Sequence, residues 1–133
     1  MRGLQAIALS LLAGFGHPLT PFAFGQSEYS EAKIRAYWNK HDWKGALQYA
    51  KAWTQGEPNN ATAWFQYCTL LNIEFQDSSE ALNAMLKAVN LRPNFPAAWN
   101  GLGIIYMRRA QYGNAVNAFQ RAVEQVPPLS EEC

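Results

Sequence analysis

The chain has 133 residues, 49% of them hydrophobic and 16% charged, enough apolar material for one ordinary domain and too much for a disordered chain. Eleven Lys and Arg face ten Asp and Glu, so no general basic field exists to attract nucleic acid or an anionic membrane surface. Neither CxxC, HExxH nor a glycine-rich phosphate loop occurs, so no metal, cofactor or catalytic residue is expected. His41 beside Asp42 reads as a solvated turn residue rather than a general base.

The first 25 residues differ in composition from the rest. Arg2 precedes the apolar run Leu4 to Phe15, and Gly16-His17-Pro18 interrupts it before the roughly 20 residues needed to cross a bilayer. Ala23-Phe24-Gly25 has small residues where a signal peptidase requires them, so residues 1–25 are expected to be a cleavable signal peptide, cut before Gln26. That reading makes the protein exported, periplasmic or secreted, with no stable membrane anchor once cleaved. An uncleaved anchor is one alternative. Another is an apolar helix packed on the rest of the chain, which Pro18, Pro21 and Gly25 would break. Cleavage leaves ten positive and ten negative residues, because Arg2 is the only charge lost.

Downstream, apolar positions recur with helical spacing and predict six helices, over about residues 28–41, 43–56, 61–75, 78–91, 96–109 and 112–125. The first carries Ile34 and Tyr37 on its apolar face, and the second carries Ala46, Ala50 and Trp53 before Pro58 stops it. Asn60 is placed to cap the third, which presents Trp64, Tyr67, Cys68 and Leu71. Asp77 and Glu80 are expected to form a capping box on the fourth, which presents Ala81, Met85 and Ala88 before Pro93. Pro96 opens the fifth, with Trp99, Leu102, Gly103 and Tyr106 at i, i+3, i+4 and i+7. Ala115, Phe119 and Ala122 mark the sixth, ended by Pro127.

The terminating prolines lie 35 and 34 residues apart, so one helix-pair unit occurs three times. The last copy, W-x-x-L-G-x-x-Y followed by Ala, Phe, Ala and Pro, resembles the tetratricopeptide repeat (TPR). This resemblance implies an all-α, right-handed superhelix of three antiparallel helix pairs, with repeats over about 27–60, 61–95 and 96–129 and a short tail at 130–133. The middle unit carries one extra residue near Glu74 to Asp77, expected to lengthen its turn and push Phe75 outward. Gly103 costs about 1 kcal/mol in a helix relative to alanine, so it needs a packing reason, here close helix approach. Cys68 takes its place in the middle unit and reads as a small buried apolar residue. A disulfide to Cys133 is the alternative in an exported chain. Trp53 stands where the other units have alanine, so either its helix is displaced or the indole lies across a neighbour.

The resemblance also implies a concave groove lined by the first helix of each pair and occupied by a peptide or protein segment. Carried over by position, its residues are Arg35, Trp38, Phe65, Thr69, Asn72, Ile73, Asn100, Ile104, Met107 and Arg108, flanked by Glu28, Glu31, Asn39, Thr62 and Ala97. Trp38 and Phe65 lie at the stripe's edge and could instead complete the core. TPR domains that clamp a chaperone's terminal carboxylates use lysine, asparagine and basic residues where this chain has Glu31, Arg35, Gln66, Ala97 and Gly101, so a carboxylate clamp is not expected. The expected function is therefore a non-enzymatic scaffold or adaptor of an envelope assembly. The alternatives are self-association or complex capping through an uncovered third repeat, where Val116 and Val123 would be exposed, and a chaperone for an exported hydrophobic client. Folding back of the tail on Leu129 would instead cover that repeat.

Overall fold

The computed structural model describes residues 27–76 and 78–127; the expected signal segment, Asp77, Leu129 and Cys133 lie outside the described residues. The chain divides into two units, residues 1–30 and 31–133. Of the first, the described part is a short turn in which the Ser27 hydroxyl donates to Tyr29 O and accepts from Tyr29 N–H.

The second unit holds six helices: α1 (Glu31–Asn39), α2 (Trp43–Gly56), α3 (Ala61–Glu74), α4 (Ser79–Leu91), α5 (Pro96–Arg108) and α6 (Tyr112–Glu124). No strand occurs among the described residues. Pairs α1–α2, α3–α4 and α5–α6 pack internally, and α2 on α3 and α4 on α5 join pair to pair. The predicted spans hold to within a few residues; the largest difference is α1, which starts and ends inside its expected range.

The caps explain the ends. Asn60 Oδ1 accepts from Thr62 N–H at 3.0 Å and Ala63 N–H at 3.3 Å. At α4 the cap is Ser78 rather than the expected Asp77: its hydroxyl accepts from Ala81 N–H at 3.0 Å. Glu80 accepts the hydroxyl of Tyr67 on α3. Helices α1 and α5 end alike. His41 N–H donates to Trp38 O and Asp42 N–H to Tyr37 O, while Ala110 N–H donates to Met107 O and Gln111 N–H to Tyr106 O. Both are Schellman closures, which need a left-handed residue, and His41 (φ 55°) and Ala110 (φ 56°) supply it without being glycine. Helix α3 ends differently. Its cap Phe75 is extended at φ −129° and 54% exposed, so the extra residue of the middle pair replaces the tight closure and turns an aromatic ring outward.

The core is a seam of small residues. Ala46, Ala50, Ala63, Cys68, Ala88, Ala98 and Ala115 are wholly buried, with Met85, Leu70, Leu102 and Ile105 filling the spaces between them. At Gly103 an added Cβ would lie 2.6–2.8 Å from the Phe119 ring, so the glycine is the seat on which α6 closes against α5. Trp53 is buried. Its indole N–H donates to Glu57 at 2.8 Å, and Asn60 donates to the same carboxylate oxygen at 2.7 Å, so the large ring is absorbed at the first repeat junction. A second indole bond recurs. Trp64 Nε1 donates to Pro58 O at 2.8 Å and Trp99 Nε1 to Pro93 O at 2.7 Å, tying each later pair to the residue that ends the pair before it.

Two substitutions test this packing. Gly103→Ala should cost about 1–3 kcal/mol, because the Phe119 ring must move off its seat. Ala110→Gly should instead stabilise by about 0.5–1 kcal/mol through relief of the left-handed strain. Urea unfolding of both variants against the parent measures the two signs.

Candidate functional site

Two recesses lie along the side formed by α1, α3 and α5. The first, about 330 Å³, is lined by Glu31, Ile34, Arg35, Trp38 and Asn39 of α1 and Gln66 of α3. The second, about 350 Å³, lies between α3 and α5. Phe65, Thr69, Asn72, Ala97, Asn100, Gly101, Ile104 and Arg108 form its walls, and Met85 of α4 also lines it.

Of the ten positions carried over from the resemblance, Arg35 and Trp38 share the first recess, and Phe65, Thr69, Asn72, Asn100, Ile104 and Arg108 share the second. Ile73 and Met107 line neither; they are 44% and 49% exposed near the C-terminal ends of α3 and α5. Successive helical residues are about 100° apart, so one position of phase separates a groove wall from a rim.

The two aromatic positions at the stripe's edge are shared between roles. Trp38 packs edge-on against Trp43 at 4.9 Å while one side lines the first recess. Phe65 tilts against Phe95 at 5.0 Å, and the Arg92 guanidinium lies 4.5 Å over Phe95 while donating to Thr62 Oγ1 at 2.9 Å. Phe95 and Arg92 therefore brace the second recess from the junction between repeats. Helical periodicity carries no signal for them, because both sit between helices.

Asn72 is the unusual polar group. Its Nδ2 donates to Cys68 Sγ at 3.5 Å, but its Oδ1 is shut from solvent and has no hydrogen-bond partner. Leaving such an acceptor unpaired costs about 1–3 kcal/mol. Beneath it the Cys68 thiol is wholly buried, and this burial pushes it up to about 12, against the smaller opposing pull of the Asn72 amide and a Met85 backbone bond. Tyr67 is shifted upward too, first by burial and then by its Glu80 partner. Among the described residues, no three His, Cys, Asp or Glu side chains are grouped to hold a metal, and no helix is long and apolar enough to cross a membrane.

Three helix pairs stacked through small-residue seams, with recesses along one helix layer, define a helical-repeat protein with a ligand-sized groove. The tetratricopeptide repeat family model matches residues 96–129, the third helix pair, and the fold of all three pairs is of that kind. Its fold is similar to that of MamA (TM-score 0.64, 17% identity, 71% of this chain and 54% of that one). It is similar also to the first TPR of Spaghetti (RPAP3) bound to the HSP90 peptide SRMEEVD (0.67, 16%, 76% and 79%). The TPR2B domain of yeast Sti1 in complex with pHsp70 is a third such structure (0.63, 21%, 69% and 73%). In sequence, 52 residues are 38% identical to the general transcriptional corepressor CYC8 of Saccharomyces cerevisiae; the match spans 39% of this chain and 5% of that protein.

The buried thiol sets a pH dependence. Native Cys68 holds its proton at pH values where the unfolded thiol, at 9.0, has lost it, and Tyr67 acts in the same direction. The native state then binds more protons than the unfolded one, so stability falls as pH rises from 9.0 toward about 12. Denaturant titrations across that range should show the decline, and Cys68→Ala should make it shallower.

Proposed function

We propose that the chain is a non-enzymatic protein-interaction module that holds an extended peptide or protein segment in the groove formed by α1, α3 and α5. In this reading it serves as a scaffold or adaptor of an envelope assembly. The observation that carries the reading is the second recess. Phe65 and Ile104 offer apolar contact, Asn100 and Arg108 offer polar contact, and the unpaired Asn72 Oδ1 leaves an acceptor that a peptide N–H could satisfy once the amide turns toward the groove. The similar structures with chaperone peptides support a peptide as the occupant class.

The occupant differs in charge from theirs. The first recess sets Glu31 beside Arg35 and Gln66, and the second holds Arg108 beside Ala97 and Gly101, so the two cations stand in separate recesses and an anion adjoins one of them. An amphipathic segment of low net charge fits this lining better. Export rests on residues 1–25, whose sequence supports a cleaved signal, and N-terminal sequencing of secreted material tests it: a chain starting at Met1 refutes cleavage.

Ile104→Glu is the sharpest test of the groove. Ile104 is 42% exposed, so the fold should be untouched, while retention of the natural partner in pull-downs from native envelope should drop about tenfold or more. Unchanged retention would move binding off this face. An SRMEEVD peptide should show no saturable binding by calorimetry.

A further inference from the structure

The two ends of the array present unlike faces, each of which is covered wherever a neighbouring pair exists. On the second helices one position is held by Thr54, Val89 and Val123, at spacings of 35 and 34 residues. Thr54 is 4% exposed and Val89 2%, because the following pair packs on them; Val123 is 72% exposed. Val116, one turn pair earlier, is 61% exposed, and an apolar recess opens beside Val123 between α5 and α6.

The first helices show the converse. Gly101 and Ile105 of α5 lie on the side that meets α4. An added Cβ at Gly101 would lie 2.6 Å from Met85 Cε, and Ile105 is 2% exposed, as is its counterpart Leu70 on α3. Shifted back by 69 residues, these positions become Ala32 and Ala36 of α1, both exposed. So α6 carries a second-helix face of the kind that α5 covers on α4, and α1 carries a small-residue first-helix face of the kind that covers one.

We infer that a second copy of this chain is the occupant: α1 of one copy docks on α6 of the next and continues the internal repeat-to-repeat interface between molecules. The Met85-on-Gly101 contact is replaced by Phe119 and Val123 facing Ala32 and Ala36 of the next copy. Such a contact joins two different surfaces, so it is heterologous and adds copies in a row unless the rotation closes a ring. Ala97 and Asn100 line both the apolar end recess and the second groove recess, so the next copy's Arg35 and Trp38 would extend the groove past α5. Both end repeats carry more cations than anions: over residues 27–60 Lys33, Arg35, Lys40, Lys44 and Lys51 face Glu28, Glu31, Asp42 and Glu57, and over residues 96–129 Arg108, Arg109 and Arg121 face Glu124. Their mutual repulsion is screened by salt, so assembly strengthens as ionic strength rises.

The assembly needs no groove ligand, so its test is independent of the proposed function. Sedimentation velocity of the full chain from low to high micromolar concentration should show mass rising past the dimer. Val123→Glu and Ala36→Arg, each at an exposed position, should both remain monomeric with unchanged helical content. Mixed one to one, they should form a dimer and nothing larger, because the only intact pairing is α1 of the first variant with α6 of the second. Val116→Glu should behave as Val123→Glu does. A parent chain that stays monomeric throughout, covered by its own residues, overturns the inference. So does an Ala36→Arg chain that assembles like the parent, which would mean two α6 faces meeting each other, or a mixture that gives no dimer.

Discussion

A two-helix unit of this size hides one face between its own helices and must find a neighbour for the other, and the architecture follows from that constraint. The neighbour can come close only because the seams are built from residues that hardly project. Alanine, glycine and cysteine occupy the contact lines, and the bulk needed for density arrives from one side at a time, as Phe119 on Gly103 or Met85 under Gly101. Indole groups then fix how far each pair rotates on the one before it. Trp64 and Trp99 reach the carbonyl of the proline that closed the preceding pair. Gln125 adds a donor to Pro93 O, so that carbonyl holds two elements of the third pair in place.

The groove inherits its chemistry from this layering. Residues of the first helices that point away from both neighbours are free of packing duty, and they are largely amides, hydroxyls and aliphatic side chains. Thr69 turns its hydroxyl onto Phe65 O at 2.9 Å, leaving its methyl for the recess. The lining is thus apolar in area with dispersed polar groups, which suits a segment presenting one hydrophobic side. Charge enters at the groove's extremities, Arg35 beside Glu31 and Arg108 at the last turn of α5.

The repeat was legible because its most constrained positions are also its most recognisable letters. A glycine within a helix, a tryptophan four residues before it and a proline closing the unit each have one packing reason, and together they fix the register of α5 and α6. The weaker copies were readable by translation, since Cys68 and Ala88 preserve size where identity is lost. What stayed hidden was set by backbone geometry or by residues between helices. Nothing in the letters His41 and Ala110 announces a left-handed residue, a role usually given to glycine. The cap of α4 is Ser78, and the letters Asp77 and Ser78, two adjacent capping residues, leave that choice open. Ile73 and Met107 miss both recesses for a reason of phase, and Phe95 and Arg92 stack behind Phe65 from a loop whose course no periodicity reports.

The second recess and the repeat seam are not separate in this molecule. Asn72 lines the second recess while its amide holds Cys68 in the core, and Met85 belongs both to the recess and to the contact with Gly101. A change at any of these four positions alters the distance between α3, α4 and α5 as well as the groove. Its effects on affinity and stability are therefore coupled. Ile104 and Asn100, by contrast, stand exposed on α5 with no such second duty. Turning the Asn72 amide toward the groove would exchange its contact with Cys68 for one outside the seam, so Asn72 is where groove and packing are most directly linked, whereas Ile104 can be changed without touching the seam.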